Sequence, residues 1–341
     1  MKAFNFILFS ILIIVTACSS GNKKSENIDS LMNGINYSLP EEEIPEKDIV
    51  MRVDSTLVKK FISIEDSKLR GGEFPQNICD VELQGIDMST KVMNGAMNFI
   101  TITTPQKISR FFIGVKDVDG YLEYIPENAY EMEIDPDAVM DKTGNLPISS
   151  SNQTSDGLNT YVVPLMMSQD FSGTCDLMIS AELVDGCITQ PIVKHLEQIQ
   201  TREGALEIKL SFNNDKDLDL HLYTPSGRHI YYQTSRNGKY NENGHQKPFG
   251  LDIDSNAGCR IDGINKENIF IPEDYLERGT YRVALCLYQN CNPSIATTWS
   301  VVTRYNGRTL SAISGSNPAS GIFPAGTSNQ HTINVMTFSL D

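Results

Sequence analysis

The chain has 341 residues, enough for roughly two domains of ~100–200 residues each. At 40% hydrophobic and 21% charged it has an ordinary globular composition, able to build a core. A formal net charge of −15 argues against nucleic acid as a partner, because phosphates are repelled by an acidic surface.

The first residues have the pattern of a targeting segment. Lys2 supplies a short positive start, and Phe4 to Val15 is almost unbroken apolar sequence. That run is too short for a comfortable membrane span, which needs ~20 residues. Val15-Thr16-Ala17-Cys18 follows at once, and small residues before a Cys in this setting resemble the lipobox of bacterial lipoproteins. The resemblance implies cleavage before Cys18, acylation of its thiol and a cell-envelope location held to the membrane by lipid. Ser19 and Ser20 follow without an Asp, a pattern similar to the sorting signal for the outer membrane.

Excluding Cys18, six cysteines remain: Cys79, Cys175, Cys187, Cys259, Cys286 and Cys291. An even number in an exported chain suggests disulfides, and six cysteines allow 15 pairings. Cys175 with Cys187 would span a hairpin. Cys286 and Cys291 flank the end of a predicted strand and would close a loop, while Cys259 falls in an aspartate-rich region. Buried free thiols are the alternative. Metal-ligand spacing of the Cys-x-x-Cys kind is absent.

Residues 18–70 are read as the lipidated Cys and an acidic, flexible tether. Gly21 to Asn27 is polar without periodicity, and Glu41-Glu42-Glu43-Ile44-Pro45-Glu46 is an acidic run broken by proline. Met51 to Arg70 is expected to form a short helix ending at Gly71-Gly72.

The rest predicts an all-β protein of two β-sandwich domains, jelly-roll or Ig-like, over 71–200 and 201–341. Asn98–Thr103 and Arg110–Val115 are rich in β-branched and aromatic residues. Asp117-Val118-Asp119-Gly120 turns the chain into Tyr121–Ile125. Thr160–Met167 and Asp176–Leu183 follow, after a polar insert over 131–155 read as a long loop. In the second domain Leu206–Phe212 and Tyr281–Tyr288 alternate apolar and polar, and Trp299–Thr303 and Thr332–Phe338 complete the set. Short strands separated by Gly, Asn and Pro suit a sandwich. Trp299, the single tryptophan, is expected to anchor the core.

Asp217-Leu218-Asp219-Leu220-His221-Leu222 carries the functional question. As a strand it puts three leucines on one face and Asp217, Asp219 and His221 on the other. Leu251-Asp252-Ile253-Asp254 repeats the idea, with both aspartates expected on one side. Together with Pro225, Gly227, Ile230-Tyr231-Tyr232, Glu267-Asn268-Ile269 and Gly279–Val283, these stretches resemble the YfaP-like group of bacterial exported domains, similar in look to pre-peptidase C-terminal β-sandwiches. The match departs at the longer polar segment from Ser235 to Pro248. It departs again at Asn265-Lys266, where the group often has Gly-Pro. The resemblance implies a fold more than a job.

Asp217, Asp219, Asp252, Asp254 and Glu267 form an all-oxygen set, and calcium takes 6–8 oxygen ligands. Clustered carboxylates repel one another unless a cation or proton intervenes. The alternative is a solvated acidic face partnered by Arg228, Arg260 or backbone amides. Asp262-Gly263 and Asp117-Val118-Asp119-Gly120 are too short to be calcium loops of the EF-hand kind. Asp219-Leu220-His221 matches the opening of metallophosphoesterases, but the Gly-Asp-x-x-Asp and Asn-His segments those enzymes need are absent. Neither a Gly-x-Ser-x-Gly elbow nor a P-loop occurs. The reading is therefore non-catalytic: a binding, adhesion or structural module, with a calcium-stabilised carbohydrate-binding accessory as the alternative. Glycan or envelope protein would be the partner, and Tyr231, Tyr232 and Tyr240 are the candidate ligand-stacking residues.

Overall fold

The computed structural model describes residues 57–75, 79–126 and 158–341, with residues 151–153 as backbone alone. The expected signal peptide, Cys18, the tether as far as residue 56 and the insert over 131–150 lie outside the described residues. The described part is all-β: apart from three short 3-10 turns, every element is a strand. Among these residues no helix is long and apolar enough to cross a membrane.

The helix expected up to Arg70 does not form. Leu57–Lys60 is one 3-10 turn, and Ile62–Ser63 and Lys68–Arg70 are extended and paired into sheets. Ile62 and Ile64 are both buried, so the apolar period here is two, that of a strand. These residues thus belong to the fold. Ser151–Gln153, read as loop, pairs with the following strand.

The longer strands of the first half are β1 (Met97–Thr104), β2 (Ile108–Val115), β3 (Tyr121–Tyr124), β4 (Asn159–Met167), β5 (Thr174–Leu183) and β6 (Ile192–Gln198). One sheet pairs β1 with β4, and the other runs β3-β2-β5-β6, each flanked by shorter strands. Ile100, Ile102, Phe111, Ile113, Val163, Leu177 and Ile179 close the core between them, all fully buried.

The second half continues with β7 (Leu206–Phe212), β8 (Asp217–Tyr223), β9 (Gly250–Asp254), β10 (Lys266–Ile271), β11 (Gly279–Gln289), β12 (Thr297–Tyr305), β13 (Ala319–Phe323) and β14 (His331–Leu340). One sheet runs β9-β10-β7-β12, with β13 also on β12; the other places β11 between β8 and β14. Leu206, Ile208, Leu210, Leu218, Leu220, Leu222, Val283 and Leu285 fill the core with Trp299, as its reading as an anchor requires. A small three-stranded meander over Ser235–Lys247 occupies the polar segment.

The two cores belong to one compact unit, and the seam between them is closed. Met97 and Phe99 of β1 pack on Val302 of β12, beside Val162 and Met166. Lys209 of β7, 1% exposed, bonds Asn94 through its carbonyl (2.9 Å) and side-chain oxygen (3.0 Å), and pairs with Glu207 at 3.0 Å. Ser300 Oγ donates to the Met97 carbonyl and Arg304 Nε to that of Gly95. The polar face of β7, which alternation assigns to water, is therefore buried against the first half.

Two disulfides form, Cys79–Cys187 and Cys259–Cys291. The Cys175–Cys187 and Cys286–Cys291 pairings considered from sequence do not occur. Cys175 faces the first core, and Cys286 is a buried free thiol on β11 directly opposite Asp219 of β8.

A candidate cation crevice

The alternation of β8 places Leu218, Leu220 and Leu222 in the core and turns Asp217, Asp219 and His221 the other way, as expected. All three polar residues are nevertheless buried, at 1%, 3% and 8% exposure. On one side β8 pairs with β11 along its length; on the other only Leu222 and Tyr223 find a strand, His229–Ile230. The free stretch of that edge meets Glu267 of β10, whose Oε2 accepts from the Leu220 amide at 2.6 Å.

β9 holds a bulge. Leu251 opposes Ile269, Ile253 opposes Asn268 and Asp254 opposes Glu267, leaving Asp252 as the extra residue. The two aspartates therefore part. Asp254 joins Asp219 and Glu267, with one carboxylate oxygen of each lying within 4.8 Å of the others. Asp252 instead accepts from the Arg202 amide (2.6 Å) and from Asn268 Nδ2 (2.7 Å). Asp217 stands beside the trio, its Oδ2 holding the Gly258 amide at 2.7 Å.

The four aspartates open into a crevice of about 690 Å³ that Tyr232, Tyr288, Arg236 and Arg260 also line, while Glu267 is fully buried. Its roof is the loop after β9. Asn256, buried and left-handed at φ 58°, bonds the Lys216 carbonyl and Asn265 Oδ1 and exchanges bonds with Asp262 across the loop. Cys259–Cys291 ties that loop to the segment after β11. Asp262 Oδ1 caps the Ile264 amide, so Asp262-Gly263 is a simple turn.

The cluster is electrostatically strained. Burial, then the charges of Asp217 and Asp254, push the Asp219 carboxyl up to about 8. Burial likewise lifts Asp217 to about 6 and raises Asp254, while Glu267 is driven well above the usual carboxylate range by burial and then by Asp219. Asp219 Oδ2 and Glu267 Oε1 are buried without a hydrogen-bond partner. Such a site holds protons or takes a cation.

Beside it runs a ladder of rings. His229 stacks between Tyr223 (4.2 Å) and Tyr231 (3.9 Å), Tyr231 also stacks on His221, and Tyr232 meets Tyr231 and Tyr288 edge-on. The Arg282 guanidinium caps the far end, 3.7 Å from the Tyr223 ring. Tyr231 and Tyr232 are half-buried members of this ladder. Tyr240 is not: it stacks on Phe249 within the core, 7% exposed. Sequence reasoning missed Tyr223, His229, Tyr288 and Cys286. The alternation of Tyr281–Tyr288 already put Cys286 and Tyr288 on the face opposite the core, but the pairing of β11 with β8 was not readable.

No family model matches the chain, and no curated protein matches it. Among solved structures, the C-terminal domain of the Streptococcus agalactiae AgI/II polypeptide BspA aligns at 8% identity, covering 74% of this chain and 95% of that one, with a TM-score of 0.18. A second structure titled BspA_C_WT aligns at 9% identity over 74% and 96%, also at 0.18. Likeness at that score carries no argument about function.

Proposed function

We propose that the chain is a non-catalytic binding, adhesion or structural module of the bacterial cell envelope, held to the outer membrane by lipid on Cys18. Its second half takes calcium in the acidic crevice. The observation that carries the calcium reading is the meeting of Asp219, Asp254 and Glu267, from three strands, with two buried oxygens left unpartnered. Asp217 lies beside them, whereas Asp252 is engaged elsewhere and is not counted as a ligand. Calcium suits such donors, with the crevice mouth supplying water for the remaining positions. The sequence resemblance to YfaP-like exported domains supports the envelope setting.

Thermal melting tests the reading. Calcium should raise the melting temperature of the purified protein above its value in chelator, and Asp254→Asn should abolish the difference. Equal melting of the wild type in both conditions overturns it.

The half-buried tyrosine ladder beside the crevice favours a second reading, recognition of a sugar ring by Tyr231 or Tyr232. Glycan-array binding with and without calcium tests it; calcium-dependent hits lost in Tyr232→Ala support it, and an empty array rejects it. A hydrolase is disfavoured. His221 does not line the crevice, and the His195–Asp176 pair is an exposed surface contact.

A further inference from the structure

Behind the all-oxygen trio, on the same face of the β8–β11 pair, Asp219 is shared with a second and chemically different group. One donor atom each of Asp219, His221 and Cys286 lies within 4.8 Å of the other two. Their residues are 3%, 8% and 6% exposed. We propose that these three side chains bind a thiophilic divalent ion of the zinc class. The proposal goes beyond the calcium reading, with which it shares only Asp219.

The donor set selects the ion. Calcium and magnesium take oxygen; a thiol, an imidazole and a carboxylate together suit zinc and its first-row neighbours. Zinc bonds of about 2.0–2.3 Å require the three donors to draw together slightly from their present spacing, within reach of side-chain rotation. Three protein donors leave a fourth tetrahedral position open. A thiolate and one carboxylate neutralise the dication, and the protons of the Cys286 thiol and of the Asp219 carboxyl pass to solvent on binding.

An observation not used for the calcium reading supports the site. His221 Nε2 is buried with no hydrogen-bond partner. The other ring nitrogen of His221, Nδ1, lies 2.8 Å from His229 Nε2. When Nδ1–H donates in that contact, Nε2 is left as a bare lone pair, which is how a neighbouring group orients a metal-binding imidazole. Cys286 is buried and takes no part in a disulfide, although four other described cysteines do. Tyr231 stacks on the His221 ring at 5.0 Å, and Tyr232, which lines the crevice with Asp219, packs on Tyr288.

Cobalt titration of the purified full-length protein, under conditions that leave its disulfides intact, tests the site. One equivalent of Co²⁺ should produce near-ultraviolet thiolate-to-cobalt absorption and strong visible bands of a tetrahedral centre, both erased by Zn²⁺. Cys286→Ser should remove the thiolate band, and Cys175→Ser, which alters the other free thiol among the described residues, should keep it. His229→Gln should weaken zinc about 10–100-fold as a positioning residue. Asp254→Asn should lose the calcium shift yet keep the cobalt spectrum, which separates this proposal from the calcium reading. Absence of a thiolate band in the folded wild type, or its survival in Cys286→Ser, overturns the proposal. Should Cys286→Ser fail to fold, alkylation of the wild type in urea below the unfolding midpoint, where transient opening exposes the buried thiols, decides: Zn²⁺ should slow labelling of Cys286 more than that of Cys175, and an equal rate at Cys286 with and without zinc overturns the proposal.

Discussion

Lys266 and Glu267 are adjacent in sequence and fully buried, yet they serve opposite faces of β10. Glu267 turns to Asp219 and Asp254, while Lys266 turns to the seam, where its ammonium reaches only the Asn265 carbonyl at 3.4 Å. Burial pulls the Lys266 amine down to about 7. A cavity of about 10 Å³ beside it is lined by Asn98 and Ser211, whose side-chain polar atoms also lack partners. An unpaired buried cation is costly, so Lys266→Met should stabilise the protein by about 1–3 kcal/mol in urea unfolding. A loss of that size would show that the amine has partners of real strength, such as a buried water in the cavity. Single residues of the crevice were unevenly legible. Asp219 and Glu267 could be grouped from residue type and strand pattern alone. Asp252 could not be separated from Asp254, because alternation assumes an unbroken ladder and the bulge breaks it by one residue.

At the scale of the element, β8 and β11 form a pair whose inner face is leucine and valine and whose outer face is chemistry. The inner face was readable from period-two alternation; the outer face needed the register that sets Asp219 against Cys286. Loop and strand contacts are close. A Cβ at Gly321 would lie 2.5 Å from the Trp299 ring, so Gly321→Ala must displace the anchor of the second core. Trp299→Ala should cost about 3–5 kcal/mol, and Gly321→Ala should lower the melting temperature measurably by calorimetry. The roof of the crevice depends on Cys259–Cys291, a bridge spanning 32 residues. Replacing both cysteines with serine should cost about 3–4 kcal/mol by the loop-entropy relation. Under the proposed calcium reading it should also weaken binding of the ion, because the roof loop would no longer be held over Asp217. Unchanged calcium affinity in that variant would show that the hydrogen bonds of Asn256 suffice.

Across the molecule, strand content and most strand positions could be read from sequence, but the packing of the two halves could not. Glu207, Lys209 and Ser211 look like the wet side of a half-exposed strand, because composition cannot say that the first half of the chain will cover it. With the seam closed by buried hydrogen bonds, the described part should unfold in one calorimetric transition; two separated transitions would contradict the coupling. Lys209 gives the seam a pH dependence. Burial lowers its amine below the ordinary value of 10.5, against the pull of Glu207. The unfolded chain then binds the proton more tightly, so this group adds stability as pH rises towards 10.5 and withdraws it as pH falls through the depressed folded value. In Lys209→Met that rise should vanish, measured as the difference in unfolding free energy from wild type across alkaline pH.

An exposed sheet edge invites strand addition by another chain, and β8 would offer such an edge along Asp217–His221. The Leu220 amide that an incoming strand would need is already held by a carboxylate with no route to water. Docking there would have to evict Glu267 and leave it buried without its donor. This side of the protein is therefore closed to polymerisation by backbone pairing, and whatever it engages must be met by side chains and ions.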